Sequence, residues 1–138
     1  MDNNKTSKDK SGVTEVPGKT ILLIEDDTVL ASMYSQRFTK EGYRVLLARN
    51  GEDGLNIIIA EKVDLVLTDI MLPRVSGIEF IEKLKKSPKK KNIPVIAWSN
   101  LADESEKEKA LALGAKEYLV KGKVTLDEIV QVAKKYLA

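Results

Sequence analysis

Five residues carry groups that could do chemistry, and each sits where an apolar run ends. Asp26 and Asp27 follow Ile21-Leu22-Leu23-Ile24, Asp69 follows Leu65-Val66-Leu67-Thr68, Ser99 follows Val95-Ile96-Ala97-Trp98, and Lys121 follows Tyr118-Leu119-Val120. Three carboxylates brought together repel one another, and a divalent cation relieves the repulsion. Mg2+ takes oxygen ligands, keeps several waters and accepts phosphate oxygens as partners. A carboxylate can also act as a nucleophile and form an aspartyl-phosphate. A lysine ammonium is a compact cation suited to a phosphoryl oxygen, and a serine hydroxyl can donate to another oxygen. Together these groups describe an acceptor for a phosphoryl group. Singly, each has an ordinary structural reading. Asp26 and Asp27 suit the start of a helix, Asp69 a cap or turn, Ser99 a turn, and Lys121 a solvated surface. Their joint placement at strand ends favours the chemical reading.

Composition narrows the chemistry further. There is no cysteine and no histidine, which removes disulfides, thiol catalysis, histidine triads, a phosphohistidine in this chain and soft metal sites. The hydrophobic fraction of 43% and charged fraction of 32% suit a soluble globular domain. A net charge of +2 gives no reason to expect direct nucleic-acid binding. No apolar run approaches a membrane span, and the polar N-terminus is unlike a secretory signal. A cytoplasmic location and no membrane partner are expected. The 138 residues suit a single domain.

The elements that must position these groups alternate regularly. Residues 1–18 are polar and hold Pro17-Gly18, and are expected to form a flexible tail, with one domain over 19–138. Strands are expected at about 20–25, 43–48, 63–68, 93–98 and 117–120. Helices are expected from Asp27 to Glu41, after Asn50, after Ser76 in a Ser-Gly-Ile-Glu capping pattern, after Asp103, and after Thr125. Five βα units in strict alternation imply an α/β fold with a parallel sheet and helices on both faces. The C-terminal strand ends then share one edge, where such folds bind ligands. The central run Val63-Asp64-Leu65-Val66-Leu67-Thr68 has few polar positions, as expected for a strand buried on both faces.

The chain resembles the receiver domain of bacterial two-component response regulators, over roughly residues 19–138. The motifs carrying the resemblance are Ile-Leu-Leu-Ile-Glu-Asp-Asp at 21–27, Asp-Ile-Met-Leu-Pro at 69–73 with Gly77, Ser99, and Tyr-Leu-Val-Lys at 118–121. The resemblance implies a doubly wound, flavodoxin-like five-stranded sheet of order 2-1-3-4-5. It implies that Asp69 is the phosphoacceptor and that Asp26, Asp27, Asp69 and the backbone carbonyl of Met71 hold Mg2+. Lys121 would pair with the phosphoryl group, Ser99 would be the switch hydroxyl and Tyr118 the switch aromatic. The donor would be a sensor histidine kinase or a histidine phosphotransfer protein. A downstream protein would bind at about residues 102–138. Such a domain catalyses nothing beyond its own phosphorylation and dephosphorylation.

Two positions depart from the family pattern: Gly122 stands where proline usually follows the lysine, and Asn100 where a small residue usually follows the switch hydroxyl. Without proline, a cis bond after Lys121 is costly, so a trans bond is expected. Asn100 bears on water access to a phosphoryl group. A pseudo-receiver acting only as a binding module is the alternative, but acidic residues, acceptor and lysine are all present. A haloacid-dehalogenase-type phosphatase normally needs a second aspartate two residues after the first, where Met71 stands. A flavin carrier needs a phosphate loop after the first strand, where Glu25-Asp26-Asp27 would repel phosphate. The basic run from Lys85 to Lys91 suits a solvated loop or an acidic partner, and Trp98 is expected to be a partly buried strand residue.

Overall fold

The computed structural model describes residues 19–100 and 103–138. The expected tail, residues 1–18, and the pair Leu101 and Ala102 lie outside the described residues. Apolar runs become five strands: β1 (Thr20–Ile24), β2 (Arg44–Ala48), β3 (Leu65–Asp69), β4 (Val95–Ser99) and β5 (Glu117–Val120). Five α-helices alternate with them: α1 (Thr28–Lys40), α2 (Gly51–Ala60), α3 (Gly77–Lys85), α4 (Glu104–Ala112) and α5 (Leu126–Lys135). All pairings are parallel, in the order β2-β1-β3-β4-β5.

Side-chain alternation along the strands divides the core into two layers. Leu22, Ile24, Val66 and Ala97 face α2 and α3, meeting Ile58, Phe80, Ile81 and Leu84. Ile21, Leu23, Leu67, Ile96 and Trp98 face α1 and α5, meeting Tyr34, Phe38, Ile129 and Val130. The three central strands are buried along their whole length, which accounts for their nearly continuous apolar sequence.

Helix starts are fixed by side-chain caps. Asp27, Asn50, Ser76, Asp103 and Thr125 each accept hydrogen bonds from backbone N–H groups of the first turn. Thr125 and Glu128 complete a reciprocal capping box. Gly114, just past the C-cap Leu113 of α4, has a φ of 112° that suits glycine. α4 is also the least anchored helix, with Ala110 its one buried residue.

At the C-terminus of α5, the Tyr136 hydroxyl donates to Glu117 Oε2 at 2.6 Å, tying the helix to edge strand β5. Hydrogen bonding to Glu117 and then burial push the Tyr136 hydroxyl up to about 12 from an ordinary 10.0. The unfolded chain therefore loses this proton first. The stability that Tyr136 contributes is complete below pH 10 and is lost as pH rises toward 12. In chemical denaturation, Tyr136→Phe should be about 1 kcal/mol less stable at neutral pH. The gap should close between pH 10 and 12; a constant gap would show that titration of this hydroxyl is not its source.

Candidate functional site

The C-terminal ends of β1, β3, β4 and β5 bring five chemical groups to one edge. Asp69 is the last residue of β3, Ser99 the last of β4, and Lys121 immediately follows β5. Glu25 and Asp26 immediately follow β1, and the Glu25 N–H extends the sheet by donating to the Ala48 carbonyl. Neighbouring strands fix these positions in register, with Asp69 opposite Trp98 and Ser99 opposite Val120.

Lys121 is the hub. Its ammonium donates to Glu25 Oε1 and to Asp69 Oδ2, both at 2.7 Å. All three side chains are buried. The second oxygen of each carboxylate is also engaged. Glu25 Oε2 accepts from the Asp27 N–H at 3.0 Å, and Asp69 Oδ1 from the Met71 N–H at 2.9 Å. Asp69 is thus aimed by a rigid strand, a backbone donor and a lysine. Gly77 makes room for the loop that follows: a Cβ there would overlap the Asp69 carbonyl oxygen. Thr68 has its buried hydroxyl satisfied by donating to that same carbonyl.

Burial raises the Glu25 carboxyl above its ordinary range, against the lowering effect of Lys121 and the Asp27 N–H, while the Asp69 charge adds to the rise. Burial alone would lower the Lys121 ammonium, but its hydrogen bonds to Asp69 and Glu25 hold it above the ordinary value. The ammonium also lies 5.9 Å from the Trp98 ring centroid. Trp98, expected to be partly buried, is fully enclosed, and its ring lies 4.6 Å from that of Tyr34. On the other side of the acceptor, buried Ser99 is hydrogen-bonded to the Tyr118 side chain. The Tyr118 hydroxyl is raised by burial, with the Ser99 bond acting against the rise.

The expected acidic set needs one correction. Carboxylate oxygens of Glu25, Asp26 and Asp69 all lie within 4.8 Å of one another. Asp27 instead turns away to cap α1, where its Oδ1 accepts from Val29 and Leu30 N–H at 3.0 Å. Residue 27 is the N-cap because the helix begins at Thr28, so its carboxylate serves the first turn. Glu25 was missed as a site residue. The first polar residue after the apolar run identifies Ser99 and Lys121, and applied to β1 the same rule selects Glu25. Arg49 braces this segment, donating to Thr28 Oγ1 at 2.7 Å and to the Asp26 carbonyl at 3.3 Å. The Lys121–Gly122 bond is trans, as expected. Gly122 lies in a single 3-10 turn, Lys121–Lys123, and a Cβ there would meet nothing within 4 Å.

The three grouped acids could hold a divalent metal. Oxygens sharing one Mg2+ at about 2.1 Å lie at most about 4.2 Å apart, and the observed grouping within 4.8 Å needs little adjustment. The all-oxygen donor set also suits a hard cation.

Comparison with known proteins agrees with this arrangement. The family described as response regulator receiver domain matches residues 21–134. The phosphate regulon transcriptional regulatory protein PhoB of Pseudomonas aeruginosa is 36% identical over 104 residues, covering 75% of this chain and 45% of that protein. The chain thus spans less than half of that relative's length. The polar-differentiation response regulator DivK of Brucella anthropi is 29% identical over 119 residues, covering 86% of this chain and 96% of that protein. Among solved structures, the Thermotoga maritima response regulator TrrA, in complex with Mg2+ and BeF, superposes with a TM-score of 0.76. Identity there is 31%, with 86% of this chain and 99% of that chain covered.

Removing the lysine should leave two buried carboxylates uncompensated. Lys121→Met is expected to lose about 3 kcal/mol in urea denaturation at pH 7, and millimolar Mg2+ should restore part of the loss. A variant as stable as the parent without Mg2+ would show that the ammonium contributes nothing net. The sheet order, the acidic group beneath its C-terminal edge and the family match over most of the sequence lead to one assignment: this chain belongs to the response regulator receiver domains.

Proposed function

We propose that Asp69 accepts a phosphoryl group from a phosphohistidine of a sensor histidine kinase or histidine phosphotransfer protein. The observation that carries this reading is the bridge from Lys121 to Glu25 and Asp69, because it aims a carboxylate and supplies a cation beside it. An Asp69 oxygen attacks phosphorus and forms a new P–O bond as the P–N bond to the donor breaks. The imidazole nitrogen keeps the electron pair and takes up a proton. Lys121, already bonded to Asp69, offsets the charge that develops on the phosphoryl oxygens.

Glu25, Asp26 and Asp69 would hold Mg2+, with the Met71 backbone carbonyl as a further oxygen suggested by family resemblance. When bound, the metal neutralises and orients the phosphoryl oxygens. The Mg2+ complex of the Thermotoga relative supports this assignment. Asp27 stays with its helix cap. Glu25 is a poor rival nucleophile because its side chain is wholly enclosed, whereas that of Asp69 keeps some exposure.

The signal leaves through α4, β5 and α5, within the expected partner surface of about residues 102–138, of which Ala102 lies outside the described residues. Ser99 has one proton to donate. A phosphoryl group on Asp69 recruits that proton, so Tyr118 must then donate to Ser99 or let it go. α4 is poised to respond, because one buried alanine anchors it. This is a local charge event biasing a two-state element. A binding module without phosphorylation is the second reading, but the intact acceptor, acidic group and lysine give it no support.

Intact-mass spectrometry after treatment with a small acyl phosphate and Mg2+ tests the chemistry. The parent chain should gain one phosphoryl group and Asp69→Asn none; undiminished incorporation in Asp69→Asn would move the acceptor elsewhere. Ser99→Ala should still accept phosphate, yet its Tyr118 and α4 amide resonances should respond less than those of the parent. Equal responses in the two proteins would remove Ser99 from the relay.

A further inference from the structure

A second surface lies away from this chemistry, between α2 and α3. The two helices leave a groove of about 260 Å³. Ile58 and Leu84, both buried, form its floor. Leu55 and Ile59 form one wall, and Lys83 and Lys90 stand on the other side. Ile59 is 74% exposed and adjoins the buried Ile58, so the apolar lining of the groove reaches the surface.

The groove is preformed. Lys90 Nζ donates to the Glu61 carbonyl at 3.2 Å, which pins the segment after α3 to the end of α2. Lys85 Nζ holds the same segment from its other side, donating to the Lys91 carbonyl at 2.9 Å. Lys86, Lys89 and Lys91 beside Lys90 in sequence, and Lys62 just past α2, are exposed and form no ion pair among the described residues. Among the described residues Lys83 has one loose partner, Glu79, at 4.0 Å. The basic run from Lys85 to Lys91 thus contributes Lys90 to the wall of an apolar slot and places further exposed lysines beside it in sequence.

We infer that this groove docks an acidic amphipathic helix of a partner protein. One or two large apolar side chains, spaced three or four residues apart, enter the slot between Ile59 and Lys83. Flanking Asp and Glu face the lysines. A slot between two helices takes the ridge of a third. Its concavity argues against a bilayer, which takes a convex apolar face. Each helix leads into the start of the next strand, so this rim lies at the sheet edge opposite Asp69. Docking is therefore independent of phosphorylation, and the inference stands whether or not Asp69 is the acceptor.

The test uses the full chain labelled with 15N and a fluorescent designed helical peptide. The peptide carries Leu at alternating three- and four-residue spacing and Glu on its flanks. It should saturate, shift the amides of Ile58, Ile59, Lys83 and Leu84, and weaken as salt rises. Ile59→Asp should weaken it roughly tenfold. Lys89→Glu combined with Lys91→Glu should weaken it roughly fivefold. These are exposed positions, and unchanged circular dichroism will show that the variants fold. Equal binding of a peptide with Lys in place of Glu would overturn the inference. So would shifts confined to other faces, undiminished binding by Ile59→Asp, or Ile59-dependent binding to phosphatidylglycerol vesicles without binding to the peptide.

Discussion

Lys121 places one ammonium 2.7 Å from both Glu25 and Asp69, and so joins the ends of three strands through charge. Without it, two buried carboxylates would face each other in a poorly solvated edge. The sheet supplies the reason that the lysine can reach both. Parallel pairing places the ends of β1, β3 and β5 on one side, although Glu25 and Lys121 lie 96 residues apart in sequence. Backbone donors from Asp27 and Met71 then occupy the remaining carboxylate oxygens. The site is therefore organised before any ligand arrives, which is the condition for electrostatic stabilisation without reorganisation.

The same lysine also links the chemistry to the apolar layer below. Its ammonium lies over Trp98, which packs on Tyr34 of α1 and shares a cluster with Ile129 and Val130 of α5. Ser99, the next residue, faces the other way and meets Tyr118. Alternation along β4 thus sends two successive side chains to opposite faces of the sheet. One belongs to the layer that holds the lysine and the other meets Tyr118 of β5.

Much of this was legible in the sequence. The strands were readable because burial on both faces demands continuous apolar runs, and the helix starts because Asn50, Ser76, Asp103 and Thr125 are strong caps. Asp69, Ser99 and Lys121 followed from their place at strand ends. The acids that the structure groups differ by one residue from the expected set, at Glu25-Asp26-Asp27, where a strand end and a helix start overlap within three acids. Type alone cannot say which acid turns inward; what decides it is that β1 ends at Ile24 and α1 starts at Thr28. The complete burial of Trp98 was hidden for a different reason. It depends on Tyr34 and α5 closing over β4, contacts distant in sequence.

α4 contributes little to the core, with Ala110 the one residue it buries. Most of its positions are consequently released from any packing requirement. Substitution can accumulate there at small thermodynamic cost, whereas the neighbouring sheet tolerates almost none. If α4 is the output surface proposed above, a lineage of such domains can exchange one binding partner for another by rewriting the outward residues of a single helix. The acidic group and its lysine remain untouched, and the same chemistry can be wired to new listeners.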